Sequence, residues 1–285
     1  MLKNAIEKNC DHIVITGDVA DNADEKDFLI LRKILQTFNL LNPLKTSIII
    51  GNHDIFGGVQ TAYDVVNFPS KCMNVDYKAR VQAFISYFEE LFVGSFFPLA
   101  DDVFPFAKEI KNFVLIGLNT IDEYSRIKNP FASNGKVNKT QFEALKTILA
   151  SERFKEKRKI VLAHHHFYKN NVEAKSSESQ MWNKIENYTM RLRGKKKLLN
   201  LFVENNIELV LHGHSHEMKD YFRKGIRFLN AGGSNDNDNK YDSQMYIIDI
   251  NEQRVAVDLN IVKGTPVMEK NTSYEEIPLQ SAVAG

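Results

Sequence analysis

The chain predicts a layered α/β domain, on three observations. Short β-branched runs alternate with segments of helical spacing as far as residue 211. Those runs are apolar throughout rather than alternating, the pattern of strands covered on both faces. The texture then changes to successive short strands separated by polar turns. A length of 285 residues suits one such domain, with a sizeable buried core.

In chain order the expected strands are "HIVITG" (12–17), "KTSIII" (45–50), "NFVLIGLN" (112–119), "KIVLA" (159–163) and "IELVL" (207–211). Between them lie helical patterns at 25–38, 79–92, 140–151 and 195–206. The third puts Phe142, Leu145 and Leu149 on one face, with Thr140 placed to cap its start. After 212, "GIRFLNAG", "SQMYIIDI" and "RVAVDLNIV" read as antiparallel strands. One domain is expected over 1–264 and a loosely packed tail over 265–285, with no internal repeat or linker.

Composition narrows the function. A net charge of +1 argues against a general nucleic-acid or anionic-membrane binder. The two cysteines, Cys10 and Cys72, have no metal-like spacing, which fits a reducing compartment and excludes a disulfide framework. No apolar run reaches the ~20 residues that span a membrane. A cytoplasmic protein is expected, with targeting left open for the segment before Asp18.

The chemistry gathers where strands end. Four runs finish in metal-ligand residues: "VITGD" at Asp18, "IIIGNHD" at Asn52, His53 and Asp54, "IVLAHHH" at His164, His165 and His166, and "LVLHGHSH" at His212, His214 and His216. Seven of the eight histidines sit in the last three, and the eighth, His12, opens the first. Ligands of an open α/β sheet collect outside the carboxyl ends of strands. A donor set of Asp, Asn and neutral imidazole without thiolate suits Mn, Fe or Zn rather than a Cys-rich structural site. Gly17, Gly51 and Gly213 permit close backbone approach before the ligands. Taken singly, a Gly-Asp after a strand is an ordinary turn, and Gly-Asn-His-Asp, though far less common, is also built of turn formers. The four in order are not.

Gly-Asp, Gly-Asn-His-Asp, a His-His step and Gly-His-x-His on successive βα units resemble the calcineurin-like metallophosphoesterases, from about residue 10 to 235. "SNGKVNKTQFEALKTIL" is similar to the family's helix before the His-His strand, and "FLNAGGS" to its strand and Gly-Ser turn. The class III cyclic-nucleotide phosphodiesterase branch is the most similar subgroup. The resemblance implies a four-layer α-β-β-α sandwich of two mixed sheets flanked by helices. It also implies two metal ions. Asp18 would bridge them. Asn52, His164 and His214 would hold the second ion, with His165 in place of His164 if the register slips by one. His216 would bind the first. His53 would contact the phosphate and protonate the leaving oxygen, with Asp54 orienting its ring. The implied reaction is hydrolysis of a phosphodiester, a cyclic nucleotide among the candidates, or of a phosphomonoester, by a metal-bridging hydroxide.

One motif departs from the family. Its opening strand ends in Asp-x-His, and no Asp-x-His occurs in this chain. A strand and helix before Asp18 would need roughly 30 residues of a βαβ unit. The expectation is therefore a missing first strand and a first-metal site reduced to Asp18 and His216. Two rival functions follow: a catalytically impaired or dead scaffold of the same fold, and a DNA exonuclease relative using "FKEKRK" (154–159) and "RLRGKKK" (191–197) on phosphates. The bland reading of those runs is solvated helix ends. "DNDNKYD" (236–242) lacks the Gly and Glu of a calcium loop and reads as a turn. Substrate choice is expected in the aromatic-rich segment 57–99, with Phe56, Tyr63 or Tyr168 as base-stacking candidates.

Overall fold

The computed structural model describes residues 1–58, 62–168, 190–215, 217–233, 242–251 and 254–263, with the side chains of 62–66 left aside. Helix α1 (Leu2–Glu7) leads to strand β1 (Ile13–Ile15), helix α2 (Glu25–Thr37) and strand β2 (Thr46–Ile48). β1 and β2 pair in parallel, as a helical crossover requires. Asp24 starts α2 by accepting a hydrogen bond from Lys26 N, and Glu25 and Asp27 in the first turn suit the helix dipole.

Helices α3 (Asn52–Phe56), α4 (Ala62–Met73) and α5 (Tyr77–Tyr87) follow, then a 3-10 turn at Glu89–Phe92. The segment 57–99 holds the helix expected over 79–92, present as α5 and the 3-10 turn, and adds α4 where only a rim connection was expected. Its aromatics serve the core: Phe28 of α2 meets Phe84 of α5 edge-on at 5.5 Å and Phe88 at 6.0 Å. Truncating a buried phenylalanine such as Phe28 costs about 3–5 kcal/mol.

The remaining elements are β3 (Phe106–Ile110), β4 (Phe113–Gly117), β5 (Gly135–Lys136), α6 (Lys139–Leu149), β6 (Arg158–Leu162), β7 (Leu192–Arg193), α7 (Lys195–Glu204), β8 (Ile207–His212), β9 (Met218–Arg223), β10 (Ile226–Ala231), β11 (Ser243–Ile250) and β12 (Val255–Val262). Asn138, not Thr140, caps α6, its side chain accepting from Gln141 N. Thr140 lies two positions too late to reach the free amides.

A six-stranded sheet runs in the order β3-β4-β6-β8-β10-β9. β4, β6, β8 and β10 are parallel, and an antiparallel strand closes each edge. β10 therefore pairs parallel to β8 and antiparallel only to β9. Period-two alternation divides the core. Leu115, Ile160, Leu162, Leu209 and Leu211 join one cluster with β1, β2, the β11–β12 hairpin, α2 and α5. Val114, Ile116, Val161, Ala163 and Val210 join the other with α6 and α7. The class is the α/β sandwich, with helices flanking sheets. Among the described residues β1–β2 and β11–β12 form separate two-stranded ladders. Residues from 264 onward, including the expected tail, lie outside those described, as does 236–241 of the acidic turn.

Candidate metal centre

The carboxyl ends of β1, β2, β6 and β8 deliver the site. After β1 the chain turns through Gly17 at φ +92°, where a side chain would bring a Cβ to 2.6 Å from Gly51 N and 2.8 Å from His164 Nδ1. Glycine is required there on both counts. Gly51 lies equally close against the Asp18 carboxylate. Asp18 and His214 are themselves left-handed, at φ +53° and +74°. Such non-glycine residues persist where the surroundings over-determine them.

Asp54 supplies that over-determination. Fully buried, its carboxylate accepts from the backbone N–H groups of Asp18 (3.1 Å), Val19 (2.8 Å), Ala20 (2.9 Å) and Gly51 (2.8 Å). Burial, then the charge of Asp18, push its carboxyl above the ordinary range, while the amides of Ala20 and Gly51 favour the charged acceptor. Asp54 therefore ties the β1 turn to the β2 turn. The expected orienting contact with His53 is not made. Consecutive residues of a helix turn point about 100° apart, so Asn52, His53 and Asp54 of α3 face three different ways.

Asn52 faces the donor cluster. Its Oδ1 lies 3.0 Å from His164 Nε2 and 2.9 Å from His214 Nδ1. Those two nitrogens are 3.2 Å apart, and His164 Nε2 is 3.1 Å from Asp18 Oδ2. The other carboxylate oxygen, Oδ1, accepts from His53 N at 2.9 Å. Thr16 O accepts from His164 Nδ1 at 2.8 Å, which leaves Nε2 directed at its neighbours and, in the neutral ring, a lone-pair donor. Asp18, His164 and His214 offer ligand atoms within 4.8 Å of one another. Separations near 3 Å are those of adjacent ligands on an ion bound at about 2.1 Å.

The electrostatics agree with a cation site. Burial disfavours ionised Asp18, but the charge and hydrogen bond of His164 prevail and hold it well below the usual carboxylate range. Burial likewise opposes charge on His164, and Asp18 carries it above the ordinary value all the same. His214 is kept neutral, well below its ordinary value, by burial and then by His165 and His164. A protonated His164 partly balances the cluster, in a place an ion would fill.

His165 directs both ring nitrogens to partners outside the donor cluster. Its Nδ1 meets Thr120 Oγ1 at 2.9 Å and its Nε2 meets Ser133 O at 3.2 Å. His212 is similarly occupied, with Tyr221 Oη at 2.8 Å and Gly213 O at 3.2 Å. His216 lies outside the described residues. His53 stands at the rim, its side chain 26% exposed, with Nδ1 3.4 Å from Asp21 Oδ1. Asp21 and Thr120 were not among the expected site residues. The spacing Gly-Asp-x-x-Asp held the signal for Asp21. Phe56 is buried and stacks on Tyr77 at 6.2 Å, so it is core. Tyr168 is buried against Ser215 at 2.5 Å, and Tyr63 has no described side chain.

Residues 1–218 match the family profile described as calcineurin-like phosphoesterase. Among solved structures, a dimetal phosphatase from Danio rerio aligns with a TM-score of 0.57 at 10% identity, over 93% of this chain and 87% of that one. A protein of Thermus thermophilus aligns over 92% of this chain and 90% of its own, at 13% identity and a TM-score of 0.48. The phosphopantetheinyl hydrolase of Mycobacterium tuberculosis does so over 78% and 79%, at 13% identity and a TM-score of 0.42. At such identities the likeness concerns the fold alone. A search of curated proteins gave no match.

Proposed function

The chain belongs to the calcineurin-like phosphoesterase family, and from that premise we propose that it hydrolyses a phosphate ester with an ion held by Asp18, Asn52, His164 and His214. The observation that carries the reading is the convergence of four ligand atoms, 2.9–3.2 Å apart along each measured pair. An ion bound there supplies charge neutralisation at the phosphoryl oxygens and acidifies water. Mn, Fe and Zn all suit this oxygen and imidazole set.

The remaining roles fall to the chain itself. His53, on the open side, protonates the leaving oxygen, and Asp21 lies beside its Nδ1 and holds the ring. Asp54 fixes the turns that present Asp18 and Asn52. For a second ion the described residues offer a share of Asp18 only, with His216 beyond them, and no step is drawn through it. Among the described residues no helix is long and apolar enough to cross a membrane. The substrate is a phosphodiester, cyclic nucleotides included, or a phosphomonoester.

The test is to deplete the protein of metal and titrate back Mn, Fe(II) or Zn. Bound ion is measured by mass spectrometry beside hydrolysis of bis(p-nitrophenyl) phosphate, p-nitrophenyl phosphate and cyclic nucleotides. Uptake and hydrolysis should rise together and vanish together in Asn52→Ala. Uptake without hydrolysis of any ester would instead make the chain a scaffold of the same fold.

A further inference from the structure

The basic run at 191–197 is not used by the metal centre. It lines a separate cavity of about 210 Å³ between the starts of α6 and α7, whose wall includes Lys139, Phe142, Arg193, Gly194 and Lys197. We propose that this cavity binds a dianionic phosphate group, as the free ion or on a small soluble phosphoester, at a site distinct from the metal cluster.

Three cationic side chains converge on the cavity, and among the described residues no carboxylate is part of its wall. Glu143, on the next turn of α6, is bonded by Lys146 at 2.8 Å, and the charges of Lys197 and Lys139 also help hold its carboxyl below the ordinary range. Arg193 pairs one terminal nitrogen with Asp122, yet its Nε is buried with no hydrogen-bond partner among the described residues. A buried donor left unmade is costly, and Arg193 is itself part of the cavity wall, so an anion bound there would offer the guanidinium an acceptor. Lys197 sits with Nζ 4.1 Å from the centre of the Phe142 ring, which holds its ammonium at the wall.

The sign of the local charge points the same way. α7 begins at Gly194 in a left-handed conformation, φ +73°, without a side-chain cap, and its first three residues are Lys195, Lys196 and Lys197. Lysines at a helix start oppose the dipole, whereas a phosphate there is favoured. Their clustering has a reason if an anion is bound.

The geometry selects a small ligand over a nucleic-acid backbone. A duplex needs a track of available cations across a surface. In the other basic run Lys155 pairs with Glu152, Lys157 with Glu109 and Arg158 with Glu208. The cavity also lies close to the reaction centre. Arg193 on β7 pairs with Lys136 on β5, and Gly135 of β5 lies against the ring of His165. A phosphate seated here could thus act on, or follow from, the chemistry next door without touching the ion.

The experiment measures binding of inorganic phosphate and of glycerol 3-phosphate by calorimetry in Asn52→Ala/His164→Ala, where the metal cluster is disabled. Both starting chain and variants are checked by thermal unfolding. Saturable binding at one site should persist there, and the tighter of the two probes identifies the free ion or the ester as occupant. Adding Lys139→Gln/Lys197→Gln, both surface changes, should weaken it about tenfold or more. In the otherwise unaltered chain the same pair should leave hydrolysis of bis(p-nitrophenyl) phosphate intact. Phosphate binding that disappears with the metal cluster, or that ignores the lysine changes, overturns the proposal. So does displacement of phosphate by duplex DNA with a steep salt dependence. Because the binding assay is run without a working metal cluster, its failure is independent of the hydrolase reading.

Discussion

His164 and His165 are neighbours in the chain, and their rings meet edge-on with centroids 5.3 Å apart, yet they belong to different regions. On one side His164 and His214 direct ring nitrogens at Asn52 and Asp18, and these contacts outnumber the protons the four groups can supply. On the other, His165 and His212 have both ring nitrogens engaged by hydroxyls and carbonyls. Burial alone does not separate the regions, since all four rings are buried. What separates them is hydrogen-bond accounting. His164 has Nδ1 anchored on Thr16 O and Nε2 facing the cluster. His214 directs Nδ1 at the cluster while its buried Nε2 finds no partner among the described residues, whereas His165 and His212 have both nitrogens engaged.

The sharpest way to break that comparison is to exchange the regions' roles by mutation. His164→Ala should abolish stoichiometric ion uptake and lower kcat/KM by about a thousandfold or more, the several kcal/mol an ion contributes to a phosphoryl transition state. His165→Asn should retain the ion. Metal analysis of the two variants side by side checks this, and loss of the ion from both would show that the described partners of His165 do not define its role.

A second prediction concerns the rim. His53→Ala should lower kcat by roughly 10²–10⁴-fold with ion content unchanged, as expected for loss of a general acid. Asp21→Asn should lower kcat in the same direction by a smaller factor, because Asp21 reaches the reaction through the His53 ring it holds. If Asp54→Asn lowered kcat with the ion retained while Asp21→Asn did not, the pairing would be the one first expected from the sequence.

That exchange of Asp54 for Asp21 shows what was legible and why. The four strand ends were readable because each apolar run stops at a Gly or His cluster, and strand ends are where an α/β sheet gathers ligands. Asn52, His164 and His214 followed from those motifs. The partner of His53 did not, because adjacent residues do not share a face: in the one-turn helix α3 consecutive side chains point about 100° apart. The choice between His164 and His165 needed Thr120, 44 residues away, whose hydroxyl also accepts from both of their backbone amides at 3.2 Å. In the fold, β9 was missed because "MKDYFR" is a polar edge strand with little apolar signal, and β5 and β7 because two residues carry no period. Within segment 57–99 the helix at 79–92 was legible and α4 (Ala62–Met73) was not; Pro69 lies inside it and disguises the helical pattern.

Stability should distinguish the regions more gently. His212→Phe removes the partner of Tyr221 and leaves its buried hydroxyl without that bond, at a cost of about 1–3 kcal/mol. Denaturant unfolding of the metal-free protein measures it. The bound ion should be retained, since His212 faces away from the donor set and bonds only its own turn and Tyr221 among the described residues.

The smallest effect per step is a pH slope, and its sign follows from burial. Burial pushes His212 down to about 3 and His12 down to about 4, in each case from an ordinary 6.5. Below 6.5 the unfolded chain takes up protons that these folded rings refuse, so stability falls with pH until the folded values are reached. Each ring contributes about 1.4 kcal/mol per pH unit within its window. His164, raised by Asp18, works the other way: its contribution is full below its unfolded value and lost as pH rises through its folded one. Asp18, whose folded value is depressed, adds its own loss only near and below the unfolded carboxylate range, whereas Asp54, raised by burial to about 7, adds stability as pH falls from there toward that range. Between about pH 6 and pH 4.5 the slope attributable to His212 is therefore read as a difference between variant and wild type. Unfolding of the metal-free protein across that interval should be shallower in His212→Phe than in wild type by one proton's slope. An unchanged slope would mean that His212 is protonated in the folded protein, and that its region is not the neutral, fully bonded one set against the metal centre.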